Sequence, residues 1–242
     1  MPRFFISGPP ASPFLLEGEA GRHAAKVLRL RPGEAVTLCN GQGQDYPAVV
    51  LETAPGGLLL DVAPPTPSRG EPAAWVTVCQ CLPKGDKLET VVQKSVELGA
   101  AAVWPIESSR CVARWSPEAV EKKTARLQKI ALEAAMQSGR GIVPEILPPA
   151  PLKAALKAAA AQGEALFLYE EGMDSFKTAL QTAGQKLFLF VGPEGGFAPE
   201  EAALARSLGA KVLSLGPRIL RAETAPLAAL AAIFYEKGDW ER

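Results

Sequence analysis

The stretch Leu187-Phe-Leu-Phe-Val191 runs directly into Gly192-Pro-Glu-Gly-Gly-Phe197, so an apolar strand is followed at once by a glycine-rich loop. The pattern returns where Lys211-Val-Leu-Ser-Leu215 runs into Gly216-Pro-Arg-Ile-Leu-Arg-Ala-Glu-Thr-Ala225. In open α/β sheets, ligands bind beyond the carboxyl ends of buried strands, where helix N-termini point backbone N–H groups into a crevice. The two loops therefore predict a pocket with two walls.

The glycines of the first loop suit close contact with a ligand. Gly195 and Gly196 lack a Cβ, so the backbone there can adopt positive φ angles and approach a bound molecule. Gly-Pro pairs also mark ordinary tight turns, and one such loop alone would favour that interpretation. Because the second loop adds Arg221 and Glu223 beside apolar residues, the two loops together favour a binding site.

The composition of the whole chain narrows the class of protein. It has 242 residues, of which 48% are hydrophobic, which is enough to bury a sizeable core. No stretch approaches the roughly 18 to 20 uninterrupted apolar residues of a membrane helix, and the N-terminus lacks the pattern of a signal peptide. We therefore expect a cytoplasmic location and no membrane partner.

The charges balance over the chain but cluster locally. Lys+Arg and Asp+Glu each number 26, which excludes binding to nucleic acid by net charge. Arg22, Lys26, Arg29 and Arg31 nevertheless lie together with His23, with no acidic residue among them. This basic cluster fits either a solvated helix face or a contact surface for nucleic acid.

The cysteines and the histidine argue against two kinds of site. Cys39, Cys79, Cys81 and Cys111 are too few and too scattered for a disulfide scaffold. Cys79 and Cys81 lie two apart in an apparent strand, point to the same face and are predicted to be core residues. Since His23 is the one histidine, we expect no metal site.

A proline-rich segment, Ala63-Pro-Pro-Thr-Pro-Ser-Arg-Gly-Glu-Pro72, divides the chain. We predict one domain at residues 1–70 and another at 73–242. In the first, β-like runs at 35–39, 48–51 and 58–62, separated by glycine turns, predict a small β-barrel with a helix near 22–30.

The second domain alternates strands with helices, which is typical of an α/β fold with a parallel sheet covered on both faces. Apolar runs predict strands at 75–81, 101–106, 165–169, 187–191 and 211–215. Helices are predicted at 87–98, 117–137, 154–161 and 224–237. Asp86 is expected to cap the first of them, and Gly99 to end it.

Three common chemistries do not fit this arrangement. The first strand–helix loop, Leu82-Pro-Lys-Gly-Asp86, lacks the Gly-x-Gly-x-x-Gly of a dinucleotide-binding domain, and the phosphate-binding Walker loop is also absent. A hydrolase triad needs a histidine base, for which His23 in the other domain is a poor candidate. What remains is a ligand with an apolar part and hydrogen-bonding edges. A nucleoside fits, with adenine against Leu215, Ile219 and Leu220.

These motifs resemble those of the RsmE family of ribosomal RNA methyltransferases, which belongs to the SPOUT superfamily. The similarity covers nearly the whole chain. In the second domain it is carried by Leu82-Pro-Lys84, Gln93-Lys-Ser-Val-Glu-Leu-Gly99, Gly192-Pro-Glu-Gly-Gly196 and Ile219-Leu-Arg-Ala-Glu-Thr-Ala225. In the first domain it is carried by Arg3-Phe-Phe5, His23, Val27-Leu-Arg29 and Gly33-Glu34.

The resemblance implies a fold, an activity and a set of partners. The fold would be a SPOUT-type parallel sheet with a C-terminal trefoil knot, preceded by a PUA-like RNA-binding β-barrel. The activity would be methylation of N3 of a specific uridine in small-subunit ribosomal RNA, with S-adenosylmethionine as cofactor. Members of the family act as homodimers, so we expect a homodimer here.

The resemblance also implies site residues. The cofactor would be held by the two loops and the end of strand 165–169, that is, by Leu168, Tyr169, Glu170, Val191, Gly192, Pro193, Glu194, Gly195, Gly196, Leu215, Gly216, Ile219, Leu220, Thr224 and Ala225. RNA would be bound by Arg3, Arg22, His23, Lys26, Arg29 and Lys84.

The chemistry of the reaction selects two candidate catalytic residues. Uridine N3 carries a proton at neutral pH, and a fixed guanidinium stabilises the anion that develops on the neighbouring carbonyl oxygens, a role that suits Arg221. Alternatively, Arg221 forms a salt bridge to Glu223 that only shapes the loop. Glu223 fits either a base or a strut, and Thr224 is expected to cap the final helix.

One position departs from the family's pattern. The family ends its long helix with Glu-Gln-Ser/Cys-x-Arg, whereas this chain has Met136-Gln-Ser-Gly-Arg140. Methionine in a helix is typical of packing, so we interpret this position as structural. Two other functions stay open at this point: a SPOUT methyltransferase that acts on another RNA such as transfer RNA, and a non-catalytic RNA-binding dimer.

Overall fold

A computed structural model describes residues 1–172 and 174–241. The chain divides into two compact units, which we call the first and second units. The first comprises Met1–Glu71 and Ala135–Val143, and the second comprises Pro72–Ala134 and the chain from Pro144 onward. The sequence predicted one boundary in the proline-rich segment, with all of 73–242 in the second domain. In the fold, residues 135–143 belong with the N-terminal unit.

The first unit is built on a six-stranded sheet with strand order β1-β3-β4-β5-β2, and β6 pairs with β4. All its pairings are antiparallel except β1 with β3. Its elements are β1 (Arg3–Phe5), β2 (Phe14–Leu16), α1 (Gly18–Arg22), a π-helical turn (His23–Val27), β3 (Ala35–Cys39), β4 (Gln44–Ala54), β5 (Gly57–Val62) and β6 (Thr66–Pro67).

The first unit buries its core on one face of these strands. Along β4 the buried side chains Tyr46, Ala48 and Val50 alternate with more exposed ones, as the two-residue period of a strand requires. Met136 packs against this core, which agrees with the structural interpretation of that position. Within residues 1–172 the strand pairings place β1 and β2 at the two ends of this strand order and do not pair them with each other.

The second unit holds the remaining elements. They are β7 (Trp75–Cys81), α2 (Lys87–Glu97), β8 (Ala102–Glu107), α3 (Pro117–Ser138), β9 (Glu145–Ile146), β10 (Ala150–Pro151), α4 (Leu152–Gln162), β11 (Glu164–Leu168), β12 (Asp174–Ser175), α5 (Phe176–Thr182), β13 (Lys186–Val191), α6 (Pro199–Ser207), β14 (Lys211–Ser214), α7 (Ala225–Glu236) and a 3₁₀ turn (Asp239–Glu241). The last residues of α3 are grouped with the first unit.

The sheet of the second unit has eight strands in the order β10-β8-β7-β13-β11-β14-β12, with β9 on β8. Every pairing is parallel. β13 lies in the middle, and its side chains from Leu187 to Val191 are all buried, which is why the sequence there is an uninterrupted apolar run. Because the strands are parallel, the loops after β7, β13, β11 and β14 leave the same edge of the sheet.

The long elements of the second unit confirm the sequence predictions within a few residues. Cys79 and Cys81 are fully buried in β7, as predicted, and burial raises the pKa of both thiols. Gly99 ends α2 with a φ of 105°, but the Asp86 side chain makes no capping hydrogen bond. The short α5 and α6 were missed. Within the described ranges, no helix combines the length and the apolar character that a bilayer span requires.

Candidate functional site

A cleft of about 640 Å³ opens at the carboxyl edge of the second unit's sheet. The loops after β11, β13 and β14 form its walls, as the carboxyl ends of parallel strands in an open sheet lead one to expect. The lining residues are Lys87, Leu168–Glu170, Val191–Gly196, Ser214–Gly216, Arg218–Ala222 and Ala225.

The glycine loop after β13 folds tightly and presents its backbone to the cleft. Gly196 has a φ of 65°, and its N–H donates to the Pro193 carbonyl over 2.9 Å. A Cβ at Gly196 would lie 3.0 Å from both carboxylate oxygens of Glu170, which lies in the loop after β11. The loop is anchored by Phe197, which is 1% exposed and packs on Phe167 with the ring centroids 4.0 Å apart. Only glycine fits at Gly196 without displacing Glu170.

A buried glutamine on β7 holds the start of this loop. Gln80 is fully buried, and its Nε2 donates to the carbonyls of Gly192 at 3.3 Å and Cys81 at 3.1 Å. Its Oε1 accepts no hydrogen bond within residues 1–172 and 174–241. Gln80 was not predicted from the sequence, although an amide inside an apolar strand was a visible signal, because buried amides require partners.

A second hydrogen bond holds the tip of the loop from the segment after β8. Arg110 Nη1 donates to the Gly195 carbonyl over 2.9 Å, while the rest of this arginine is exposed. The neighbouring Ser109 N–H donates to Glu201 at the start of α6 over 2.8 Å. Arg110 was not predicted either, since the sequence carries no sign that 110 and 195 meet.

Charged side chains join three of the loops that leave this edge. The Glu194 carboxylate accepts hydrogen bonds from the Lys84 N–H at 3.1 Å and from Lys87 Nζ at 2.8 Å. Lys87 Nζ also lies 3.5 Å from Glu223 Oε2 on the third loop. We call Lys87, Glu194 and Glu223 the charged staple. That Lys87 bridges the two walls was not predicted from the sequence.

The staple shifts two pKa values in opposite directions. The hydrogen bond with Glu194 raises the pKa of Lys87. For Glu194, partial burial acts to raise the pKa, but the hydrogen bonds from Lys87 and from backbone N–H groups outweigh it, so its pKa is lowered. Both groups are therefore charged over the neutral pH range, and the contacts between the loops persist there.

The loop after β14 forms the second wall and leads into α7. Its carbonyl at Arg221 accepts hydrogen bonds from the N–H groups of Thr224 at 2.9 Å and Ala225 at 3.0 Å, which set the first turn of the helix. Arg218, Ile219 and Arg221 are exposed, whereas Ala222 is buried. The exposed side chains thus lie at the mouth of the cleft.

The predicted cofactor residues come together in this cleft, with one exception. All of them line it except Thr224. Thr224 is the N-cap residue of α7, but its side chain makes no capping hydrogen bond. The prediction that Thr224 caps this helix is therefore wrong. The cap fails because the Thr224 backbone is already helical (φ −88°, ψ −38°), a conformation that differs from the extended one of capping residues. The residues that line the cleft without having been predicted are Lys87, Ser214, Arg218 and Ala222.

The two catalytic candidates have different surroundings. Arg221 lines the cleft and is exposed, and within the described ranges it makes no ion pair. Glu223 does not line the cleft. Its carboxylate faces Lys87 instead of Arg221, and its Oε2 is buried without a hydrogen-bond partner in the described part of the chain. The alternative salt bridge from Arg221 to Glu223 is therefore not formed, and the geometry favours a strut at Glu223.

The predicted RNA-binding residues separate into two groups. Arg22, His23, Lys26 and Arg29 are exposed on the first unit. Lys84 is exposed on the second unit, where its backbone N–H is held by Glu194.

Arg3 differs from the other predicted RNA-binding residues, because its guanidinium is paired inside the first unit. Nη1 and Nη2 donate to the two Asp45 oxygens at 2.6 and 2.8 Å, and both side chains are 13% exposed. Ser68 Oγ also donates to Asp45, at 2.5 Å. Burial acts to raise the pKa of Asp45, but the hydrogen bonds from Arg3 and Ser68 lower it overall. A guanidinium paired in this way is less available to a phosphate than the exposed cations of the first unit.

Two family models match this chain. Residues 70–234 match the model described as RNA methyltransferase domain, and residues 16–62 match the RNA methyltransferase PUA domain. The first match covers most of the chain and contains the whole cleft. The fold and the site thus define the class as RNA methyltransferases with a PUA domain.

Curated and solved relatives narrow the class. Proteins named ribosomal RNA small subunit methyltransferase E from Mycobacterium bovis and Bacillus subtilis are 34% and 33% identical, over 94% and 93% of this chain and 88% and 91% of their own. A crystal structure of a ribosomal RNA small subunit methyltransferase E from Neisseria gonorrhoeae, bound to S-adenosyl methionine, is 33% identical with a TM-score of 0.87 over 96% of each chain. This chain belongs to the ribosomal RNA small subunit methyltransferase E family, which confirms the resemblance found in its sequence.

Proposed function

We propose that this protein transfers a methyl group from S-adenosylmethionine to N3 of a uridine in small-subunit ribosomal RNA. The observation that carries the proposal is the glycine-walled cleft at the carboxyl edge of the parallel sheet, in a chain of this family. The relatives from Mycobacterium bovis and Bacillus subtilis, both named as ribosomal RNA methyltransferases, support ribosomal RNA as the substrate. The Neisseria gonorrhoeae relative, crystallised with S-adenosyl methionine, supports the cofactor.

The cleft fits this cofactor in size and in chemistry. Its volume of about 640 Å³ lies within the range of roughly 300 to 1,000 Å³ usual for small-molecule sites. The space above Gly196, which a Cβ would fill, lets the backbone and the Glu170 carboxylate approach a bound nucleoside together. Leu215 and Leu220 supply an apolar surface for adenine. When bound, S-adenosylmethionine supplies an activated methyl group on a sulfonium.

Arg221 is the residue that assists the reaction at uridine. N3 of uridine becomes a nucleophile when it loses its proton, and the negative charge then spreads to the two adjacent carbonyl oxygens. A guanidinium at the wall of the cleft stabilises this charge by hydrogen bonding. Arg221 has the required place, exposure and freedom from protein partners within the described ranges.

Glu223 acts through the charged staple and does not touch the substrate. Lys87 joins it to Glu194, so the second wall is tied to the first. Two loops that must each be ordered separately would hold a ligand less well than two loops already connected. Glu223 is therefore a positioning residue.

The path of the chain after β11 supports the trefoil knot. In the sheet, β14 lies between β11 and β12, so the chain crosses from one side of β14 to the other between these two strands. A Cβ at Gly172 would lie 2.7 Å from the carbonyl carbon of Leu213, which shows how closely this crossing approaches the backbone of β14. The second wall leaves β14 just beyond this crossing, and we propose that it passes through the loop to form the knot.

The remaining parts of the proposal concern assembly and RNA recognition. α7 is apolar over more than one face, and Tyr235 in its last turn and Trp240 just after it are 66% and 61% exposed, which supports a homodimer through this region. The exposed Arg22, Lys26 and Arg29 of the first unit bind RNA phosphates. Such an enzyme acts in the cytoplasm, where ribosomes are assembled.

Comparison of modified nucleosides tests this function. Small-subunit ribosomal RNA from cells with and without the protein is digested and analysed by mass spectrometry. We expect one 3-methyluridine to disappear without the protein and to return when the purified enzyme and S-adenosylmethionine are added to the unmethylated subunit. A full set of modifications in its absence, with RNA binding intact, would indicate a non-catalytic binder, and loss of methylation in transfer RNA alone would indicate the other substrate.

A further inference from the structure

The mouth of the cleft carries an exposed apolar side chain between two cations. Ile219 lines the cleft and yet is 83% exposed, the largest exposure of any big apolar side chain in the described chain. It is flanked in the loop by the exposed Arg218 and, two residues on, by Arg221. Within residues 1–172 and 174–241, Arg218 makes no ion pair or hydrogen bond. A single exposed isoleucine is ordinary, but one at the lip of a binding cleft between free guanidiniums suggests a contact.

The opposite wall carries a matching cation. Arg110 uses Nη1 to hold the Gly195 carbonyl, so its guanidinium is fixed at the edge of the glycine loop. The rest of the side chain is exposed. Each of the two loops at the entrance therefore has an arginine beside it, although Glu170 and Glu194 also line the cleft.

These charges fit the nucleic acid better than the cofactor. S-adenosylmethionine carries a sulfonium and an ammonium against one carboxylate, so the exposed guanidiniums of Arg218 and Arg221 do not attract it. A phosphate backbone is polyanionic and is attracted by them. An isoleucine exposed to this extent also buries little surface against a ligand that lies inside the cleft.

The position of the reacting atom requires an extruded base. N3 lies on the Watson–Crick edge of uridine, so a paired uridine cannot present it to a methyl donor inside a cleft. An enzyme that holds an unpaired base needs an apolar surface against the face of the base and cations for the flanking phosphates.

We propose that Ile219, with Arg218 and Arg110 on the two walls, forms the surface that receives the extruded target nucleotide. Ile219 packs against the face of the uracil, and the guanidiniums of Arg218 and Arg110 contact the phosphates on its two sides. This inference rests on the proposed function, because it assigns residues to the substrate of that same cleft. The Ile219 side chain, which was expected from the sequence to contact the cofactor, is thereby assigned to the RNA.

Steady-state kinetics on unmethylated small ribosomal subunits test the role of Ile219. We expect Ile219→Ser to lower kcat/KM for the subunit about tenfold, on the scale of losing one buried aliphatic contact. The affinity for S-adenosylhomocysteine, measured by calorimetry, should stay within about twofold of wild type. Leu220→Ala, a change in the neighbouring cleft residue, serves as the matched control and should weaken that affinity.

The salt dependence of RNA binding tests the cations. In Arg218→Gln, the slope of log K against log salt should fall by roughly 0.7 to 0.9, the value for one lost phosphate contact. Arg206→Gln, which removes a charge from the exposed face of α6, is the control and should leave the slope unchanged.

Several results would overturn the proposal. Ile219→Ser could weaken S-adenosylhomocysteine binding as Leu220→Ala does, which would make it a cofactor contact, or could turn a dimer into a monomer, which would make it a subunit contact. Unchanged kcat/KM in Ile219→Ser with active wild-type enzyme would refute this inference alone. A wild-type enzyme that binds the cofactor product but methylates no small subunit would refute the proposed function, and this inference would fall with it.

Discussion

Gly196 lies where the backbone must approach both the ligand and Glu170 in the loop after β11. Its φ is 65° and a Cβ would lie 3.0 Å from the Glu170 carboxylate. We expect Gly196→Ala to weaken S-adenosylhomocysteine binding about tenfold or more in calorimetry, or about 1.4 kcal/mol, because the methyl group displaces the Glu170 carboxylate that lines the cleft. The backbone strain alone costs on the order of 1 kcal/mol of stability.

A glycine elsewhere separates strain from obstruction. Gly209 has a φ of 85°, and no atom lies within 4 Å of the position that a Cβ would take, so Gly209→Ala carries the strain without the collision. Thermal unfolding should report a similar loss of stability for both variants, and only Gly196→Ala should lose affinity. Equal affinity in the two variants would show that the contact between Gly196 and Glu170 is not needed for binding.

Substitution of Arg221 should slow methyl transfer without weakening the binding of cofactor or RNA. Arg221→Ala should lower the rate of methyl transfer about a hundredfold, the scale of removing one preorganised donor to a developing oxyanion. The affinities for S-adenosylhomocysteine and for RNA should change little. Single-turnover methylation of unmodified subunits measures the rate. Normal turnover in this variant would exclude a catalytic role, and recovery in Arg221→Lys would show that charge alone suffices.

At the scale of elements, the charged staple connects the loops after β7, β13 and β14, and it should respond to pH. Because the pKa of Glu194 is lowered by folding, its contribution to stability is present above its unfolded pKa and is lost as the pH falls through its folded value. The pKa of Lys87 is raised, so its contribution is lost only when the pH rises through that raised value. We expect the staple to hold across neutral pH and to fail first in acid.

The variant Glu194→Gln isolates this contribution. Near neutral pH it should melt slightly below wild type, since exposed ion pairs contribute little. The difference in Tm should shrink as the pH falls and the wild-type carboxylate becomes protonated. Glu200→Gln, at an exposed position in the first turn of α6, is the control for the loss of a carboxylate outside the charged staple. A difference for Glu194→Gln that is constant down to strongly acidic pH would mean that the carboxylate charge does not stabilise the loops.

At the scale of the whole molecule, the first unit should supply affinity for RNA and the second unit the reaction. Replacing Arg22, Lys26 and Arg29 with glutamine should weaken RNA binding and reduce the salt slope by roughly one unit for each lost contact. The affinity for S-adenosylhomocysteine should stay as in wild type.

Arg3 provides the control for that experiment. Its guanidinium is paired with Asp45 inside the first unit, so Arg3→Gln should lower thermal stability and leave the salt slope unchanged. Normal RNA binding by the triple variant at every salt concentration would exclude the basic cluster as the contact surface.

The apolar α7 predicts the assembly state. Its composition is apolar on more than one face, and Tyr235 and Trp240 stay exposed in the single chain. Sedimentation equilibrium at micromolar concentration should give twice the chain mass of 25.5 kDa. Tyr235→Lys should shift the equilibrium towards monomer, whereas Lys substitution of the exposed Leu51 in the first unit should not. A wild-type monomer under these conditions would contradict the homodimer.

What the sequence determined by itself was local. Apolar runs such as Leu187–Val191 specify buried parallel strands, and the glycines after them specify loops that approach a ligand, because both follow from the chemistry of adjacent residues. That was enough to predict a cleft with two walls, whereas nearly all of its lining residues were implied by the resemblance of the motifs to a known family. The same resemblance implied the cofactor.

Only the tertiary structure decided which polar groups meet. Gln80 reaches Gly192, Arg110 reaches Gly195, and Lys87 bridges two loops, across separations in the chain that no local pattern records. The same holds for Arg3, whose positive charge suggested RNA until the fold placed it against Asp45. A charged side chain has the same appearance in the sequence whether it faces solvent or a buried partner. Its role is set by burial and by the few ångströms to its neighbour, and these are properties of the folded chain.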